Sequence, residues 1–169
     1  HRNVSQYHSP RASFTSYLYT ILKVLHPILE INQENILESI KELDRIGTKI
    51  NSSNLTKDNP SLTLAKWISD IPIIYYPSGL QSVAIRFKNS LQENSKIHVI
   101  SEDVIEVCHN GIMSWEKPST IKPILIQGKN DHMKTEERWK ILKEYFIKNN
   151  IEYNEVLSPD GNILRKIIS

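Results

Sequence analysis

Hydrophobic positions recur along the first part of the chain with the spacing of amphipathic helices. Between residues 13 and 26 they fall three and four positions apart, which predicts a helix with one buried face. The same spacing predicts a second helix over residues 32–50, with Leu37 and Ile40 facing inward and Glu42 facing solvent. A polar, turn-forming segment follows, and Pro60 then opens a short third helix.

From residue 72 onward, short apolar runs alternate with helical patterns. The runs have the length of buried strands and cover residues 72–76, 97–100, 124–127 and 153–157. Amphipathic helices are predicted over residues 81–93 and 135–148. Strands separated by helices imply right-handed crossovers and a parallel sheet covered on both faces. We therefore expect a single domain over residues 1–169, an α/β fold built as a three-layer α/β/α sandwich with a mostly parallel sheet of four or five strands.

Two predicted strand ends carry residues that suit a binding site. Ligands of open parallel sheets bind outside the carboxyl ends of the strands, because loops and helix amino termini converge there. After the first strand the small residues Ser78 and Gly79 would let a polar ligand approach the amides of the next helix. The second candidate is the long connection over residues 101–120, which reads as an irregular, acidic stretch.

The charge balance and the cysteine count exclude several kinds of partner. With 21 basic and 19 acidic residues the net charge is +2, so no basic field favours nucleic acid. No apolar run is long enough to cross a bilayer, so no membrane partner is expected. Cys108 is the single cysteine, which rules out an internal disulfide and fits a reducing cytoplasm. His98, Glu106 and His109 match no standard zinc spacing, so we expect neither a metal nor another cofactor.

Three short motifs in a fixed order resemble one family. The chain reads Gln92-Glu93-Asn94-Ser95-Lys96 and then Glu106-Val107-Cys108-His109-Asn110, with sixteen residues from Glu93 to His109. Near the start, Ser9-Pro10-Arg11-Ala12 precedes the first helix. Together they resemble the C-terminal sugar isomerase (SIS) domain of bifunctional phosphoglucose/phosphomannose isomerases.

The resemblance implies an aldose–ketose isomerase that interconverts glucose 6-phosphate or mannose 6-phosphate with fructose 6-phosphate through an enediol. That reaction needs a carboxylate to move a proton between two carbons, and a group that exchanges a proton with the ring oxygen near neutral pH. By resemblance, Glu93 is the base, His109 opens the sugar ring, and Arg11 stabilises the negative charge of the enediolate. Substrate contacts are expected from Ser78, Gly79 and Asn110.

The resemblance also implies partners for this chain. In the family a first SIS domain holds the sugar phosphate, and a final helix brings a lysine to the active site. We expect both to lie outside these 169 residues, so that the chain is truncated at both ends and inactive alone. Because the family's active site combines groups from two subunits, we expect a homodimer that acts on a phosphosugar.

Two other functions stay open at this point. A noncatalytic phosphosugar-sensing domain of the same fold needs neither Glu93 nor His109, whereas an isomerase needs both. A fragment that serves only dimerisation predicts an apolar interface without a polar cleft. Apart from the resemblance, Glu93 at a helix end is an ordinary solvated charge, and His109 is a packed or capping histidine.

Overall fold

The computed structural model describes residues 13–169, which form helices around a single parallel sheet. The α-helices are α1 (Phe14–Leu25), α2 (Gln33–Lys49), α3 (Pro60–Trp67), α4 (Gln81–Ser95), α5 (Val104–His109), α6 (Met133–Lys148) and α7 (Ile163–Ile168). The strands are β1 (Pro72–Tyr76), β2 (Ile100–Asp103), β3 (Lys122–Gln127) and β4 (Asn154–Leu157). A 3-10 helix over Gly111–Glu116 follows α5.

The four strands are all parallel, in the order β2-β1-β3-β4. The chain first steps from β1 to one side, and then returns past β1 to add β3 and β4 on the other side. Because crossovers between parallel strands are right-handed, this reversal puts the helix after β1 and the helices after β2 and β3 on opposite faces. The predicted three-layer α/β/α fold is confirmed.

Two apolar cores fill the spaces between the sheet and its helices. One contains Tyr75 of β1 with side chains of α5, α6 and the 3-10 helix, and its centre is the fully buried Phe146. The other contains Ile74 of β1 with Leu80, Ala84 and other side chains at and along α4. Neighbouring residues of β1 therefore point to different cores, as the two-residue period of a strand requires. Every residue of β1 is buried, which explains its unbroken apolar run.

The second strand starts later than its hydrophobic pattern predicts. The run over residues 97–100 was expected to be a strand, but pairing with β1 begins only at Ile100, opposite Ile73. The residue opposite Val99 would be Pro72, which has no N–H to donate to a ladder. The residues expected to form an irregular stretch from Ser101 onward instead provide the rest of β2, then α5 and the 3-10 helix.

The orientation predicted for α2 is partly wrong. Leu37 and Ile40 are exposed, whereas Glu42 is only 2% exposed. Glu42 faces α7, where Arg165 donates two hydrogen bonds to it, at 3.2 Å from Nε and 3.0 Å from Nη2. The guanidinium of Arg45 also donates to the Glu42 carboxylate. A hydrophobic period cannot reveal this, because the partner charge comes from a helix more than a hundred residues away.

The described helices are all too short or too polar to span a lipid bilayer.

Candidate functional site

The turn after β1 is exposed and adopts a conformation that favours glycine. The N–H of Leu80 donates to the carbonyl of Pro77 at 3.1 Å, which closes a β-turn. Gly79 has φ of 90°, in the region that side-chain-bearing residues avoid. Ser78 and Gly79 lie at the carboxyl end of β1, directly before α4. The two small residues thus lie at the strand end where the sequence placed them, and their contact with a substrate remains a prediction.

This turn borders the point where the sheet changes direction. The connection after β1 leads to the α4 face, whereas the connection after the adjacent β3 leads to α6 on the other face. A crevice between two such strand ends is the usual ligand position in open α/β sheets. Across it from Ser78 lies the loop over residues 128–132, where the Gly128 N–H donates to Asp131 Oδ2 at 3.0 Å. The sequence analysis did not predict this second loop as part of a site, because the sequence alone does not show that β1 and β3 are adjacent in the sheet.

Glu93 lies at the other end of α4. The helix leaves the carboxyl end of β1 and returns to the start of β2, so Glu93 in its last turn is near the amino ends of the strands. Along the helix, Glu93 is roughly 20 Å from Gly79, at about 1.5 Å per residue. The side chain is exposed, and Lys96 with φ of 58° ends the helix just beyond it.

His109 is the last residue of α5, on the opposite face of the sheet. The helix starts where β2 ends, with the Asp103 carboxylate accepting from the Ile105 N–H at 2.7 Å. Its end is closed by Asn110, whose N–H donates to the carbonyl of Glu106 at 2.8 Å. The side chains of both His109 and Asn110 are exposed.

The structure thus brings some predicted site residues together and separates others. Ser78 adjoins Gly79, and His109 adjoins Asn110, but within one chain Glu93 and His109 belong to helices on opposite faces of the sheet. Arg11 lies outside the described residues. Three cavities within residues 13–169 have linings that contain none of the predicted site residues. The predicted site residues within the described part of the chain are all exposed.

A polar cluster near His109 was not anticipated from the sequence. Glu102 of β2 and Tyr75 of β1 are partners in the ladder, and the Trp115 indole N–H donates to the buried Tyr75 hydroxyl at 3.0 Å. Burial, followed by the negative charge of Glu106, raises the pKa of Glu102. Burial also raises the pKa of Tyr75. The only sequence signal was the polar Ser-Glu-Asp run, which is easily taken for a loop because edge strands lack a continuous apolar pattern.

Side chains that ligate metals do not cluster in the described part of the chain. Residues 13–169 contain no cluster of three or more His, Cys, Asp or Glu side chains with suitable geometry. Cys108 is half-buried beside the backbone of Arg138, and burial raises the pKa of its thiol. A thiol of that kind is less available as a thiolate.

Comparison with known proteins now identifies the family. A family model described as the bacterial phospho-glucose isomerase C-terminal SIS domain matches residues 57–169, more than half of the chain. The chain belongs to this family. The resemblance inferred from the Glu93 and His109 motifs is thereby confirmed, and the matched SIS region contains both residues.

A solved structure supports the same fold beyond the matched region. The chain is similar to a glucose-6-phosphate isomerase-like protein from Thermus thermophilus, with a TM-score of 0.74 and 15% sequence identity. The similarity covers 95% of this chain but 54% of that protein, so this SIS chain spans about half the length of its structural neighbour. No curated protein sequence matches the chain.

Proposed function

We propose that this chain is the second SIS domain of an isomerase that interconverts glucose 6-phosphate or mannose 6-phosphate with fructose 6-phosphate. Glu93 moves the proton between the two carbons, and His109 exchanges a proton with the ring oxygen during opening. Arg11 stabilises the enediolate, and a first SIS domain holds the phosphate. The observation that carries the proposal is the Glu93 and His109 pair, sixteen residues apart within the region matched by the family model.

The separation of the two residues in one chain supports a site shared between subunits. A general base and a ring-opening imidazole must both come within about 3 Å of one sugar. Helices on opposite faces of a sheet do not bring exposed side chains that close inside a single SIS domain. In the proposed homodimer, one protomer supplies Glu93 and its partner supplies His109, so that two equivalent sites form.

Subunit mixing tests this arrangement directly. In the two-domain polypeptide, Glu93→Gln and His109→Gln should each reduce the conversion of fructose 6-phosphate to glucose 6-phosphate by about a hundredfold, the usual contribution of acid–base catalysis. When the two variants are unfolded together and refolded, half of the dimers are mixed, and each carries one intact site. Activity should then recover to about one quarter of wild type.

The matched control is Glu144→Gln, which removes an exposed carboxylate near the end of α6 and should leave turnover unchanged. Two inactive variants that fold but show no recovery on mixing would place both groups in one protomer and would reject the shared site. Unchanged turnover in Glu93→Gln would remove Glu93 from the mechanism.

A regulatory phosphosugar-binding domain is the second candidate function. It is favoured by one observation: within one chain, Glu93 and His109 are exposed on helices on opposite faces of the sheet, so a single domain does not bring the proposed catalytic pair together. A sensor of this kind would bind fructose 6-phosphate in calorimetric titration while wild type shows no turnover. Its affinity would be unaffected by Glu93→Gln and His109→Gln, whereas substitution at the Ser78 turn would weaken it.

A further inference from the structure

The 3-10 helix after His109 lies close to side chains from two adjacent strands, one at each of its ends. Glu102 and Tyr75 are register partners in β2 and β1, so their side chains project from the same face near the carboxyl ends of the strands. Near the end of the 3-10 helix, the indole of Trp115 donates to the Tyr75 hydroxyl at 3.0 Å. Both of these aromatic side chains are buried.

The start of the same helix, at Gly111, lies beside the carboxylate of Glu102. A Cβ placed on Gly111 would lie only 2.9 Å and 3.1 Å from the two carboxylate oxygens of Glu102. Real Cβ atoms essentially never come within 3.0 Å of another heavy atom, so the nearer carboxylate oxygen occupies space that a side chain at position 111 would need. Glycine at this position is what lets the backbone and the carboxylate approach each other.

Placement of Glu102 at this point has an electrostatic cost that packing alone does not explain. Within residues 13–169 no group donates a hydrogen bond to its half-buried carboxylate, and the exposed Glu106 carries a like charge nearby. Carboxyl groups whose surroundings disfavour the charged form cluster at functional sites.

We propose that Glu102, through its contact with Gly111, is a positioning residue that sets the direction of His109 and Asn110. These two residues lie between the start of α5, which the Asp103 side chain caps, and a 3-10 helix that packs closely against Glu102 at Gly111 and is hydrogen-bonded to Tyr75 through Trp115. Moving the Gly111 end turns the exposed imidazole while leaving the buried Trp115 in place. The catalytic meaning of that movement rests on the proposed role of His109.

The test uses substitutions on each side of the contact between Glu102 and Gly111. Gly111→Ala sets a methyl group against the Glu102 carboxylate, so that the Gly111 backbone and the carboxylate are pushed apart, whereas Glu102→Ala removes the carboxylate. Neither change touches the buried core, so both variants should fold with a melting temperature close to that of wild type. Each should lower kcat by about tenfold to a hundredfold with little change in KM, the cost of roughly 1 Å of misplacement. The double variant should be no worse than either single one, because one contact is lost in all three. Glu102→Gln, which keeps the shape, should restore most of kcat.

A structural readout separates this inference from the proposed function. In the full chain, the NMR signals of the His109 imidazole and the Asn110 amide should shift in Gly111→Ala and in Glu102→Ala. They should not shift in Glu116→Gln, which changes an exposed carboxylate at the far end of the 3-10 helix. Shifted signals in a protein without turnover would support positioning and reject the isomerase. Unshifted signals, or additive losses of kcat in the double variant, would overturn the positioning role.

Discussion

The buried carboxylate of Glu42 should connect the first and last parts of the described fold. Its side chain is 2% exposed and accepts hydrogen bonds from Arg45 on its own helix and from Arg165 on α7. Charge-assisted hydrogen bonds contribute roughly 1.5–3 kcal/mol each when desolvated. Arg45 and Arg165 are 51% and 33% exposed, so solvent screening reduces that figure. We expect Glu42→Gln to lower the free energy of unfolding by about 2 kcal/mol.

The assay is a double-mutant cycle by urea unfolding. In a separate thermal scan, the loss of about 2 kcal/mol in Glu42→Gln should lower the melting temperature by about 4–8 °C for a chain of this size. Glu42→Gln combined with Arg165→Gln should show a coupling free energy of about 1–2 kcal/mol, because both variants remove the same ion pair. The matched control is the surface pair of Lys140 and Glu144, 4.0 Å apart and mostly exposed, whose coupling should be below about 0.5 kcal/mol.

The pH dependence of the same coupling follows from the pKa of Glu42. Hydrogen bonds from Arg45, and then from Arg165, hold that pKa below its ordinary value of 4.5, against the opposing effect of burial. A lowered pKa in the folded state stabilises the fold above the unfolded-state value, and the stabilisation is lost as pH falls through the folded-state value. A Glu42–Arg165 coupling no larger than that of the surface pair at neutral pH would refute the reasoning.

Two further predictions concern stability. Phe146→Ala should lower the free energy of unfolding by about 3–5 kcal/mol in urea titrations, because the fully buried ring packs against those of Trp115 and Tyr75; a loss below about 1 kcal/mol would contradict the assigned core. Gly79→Ala should lower the melting temperature, since its φ of 90° strains any side chain, whereas Gly47→Ala in open space on α2 should raise it slightly. Equal effects of the two glycine changes would show that the turn is not strained.

Much of the architecture followed from local patterns in the sequence. The apolar run at Pro72–Tyr76 and the helical spacing of α4 and α6 depend only on neighbouring residues, so period and length sufficed to predict them. Alternation of strands and helices then determined the fold class, because crossovers between parallel strands have one hand. The motif around Glu93 and His109 likewise indicated the family, since residue types and their spacing along the chain can be read without coordinates.

What depended on distant partners was decided only by the tertiary structure. The start of β2 was set by Pro72 on the neighbouring strand, and the burial of Glu42 by Arg165 on a distant helix. The strand order placed the helices of Glu93 and His109 on opposite faces of the sheet. The separation of sixteen residues along the chain does not reveal on which face each residue lies. Sequence patterns depend on residues that are close along the chain, so they predict individual helices and strands. Strand order and ion pairs depend on which distant segments contact each other, so only the tertiary structure determines them.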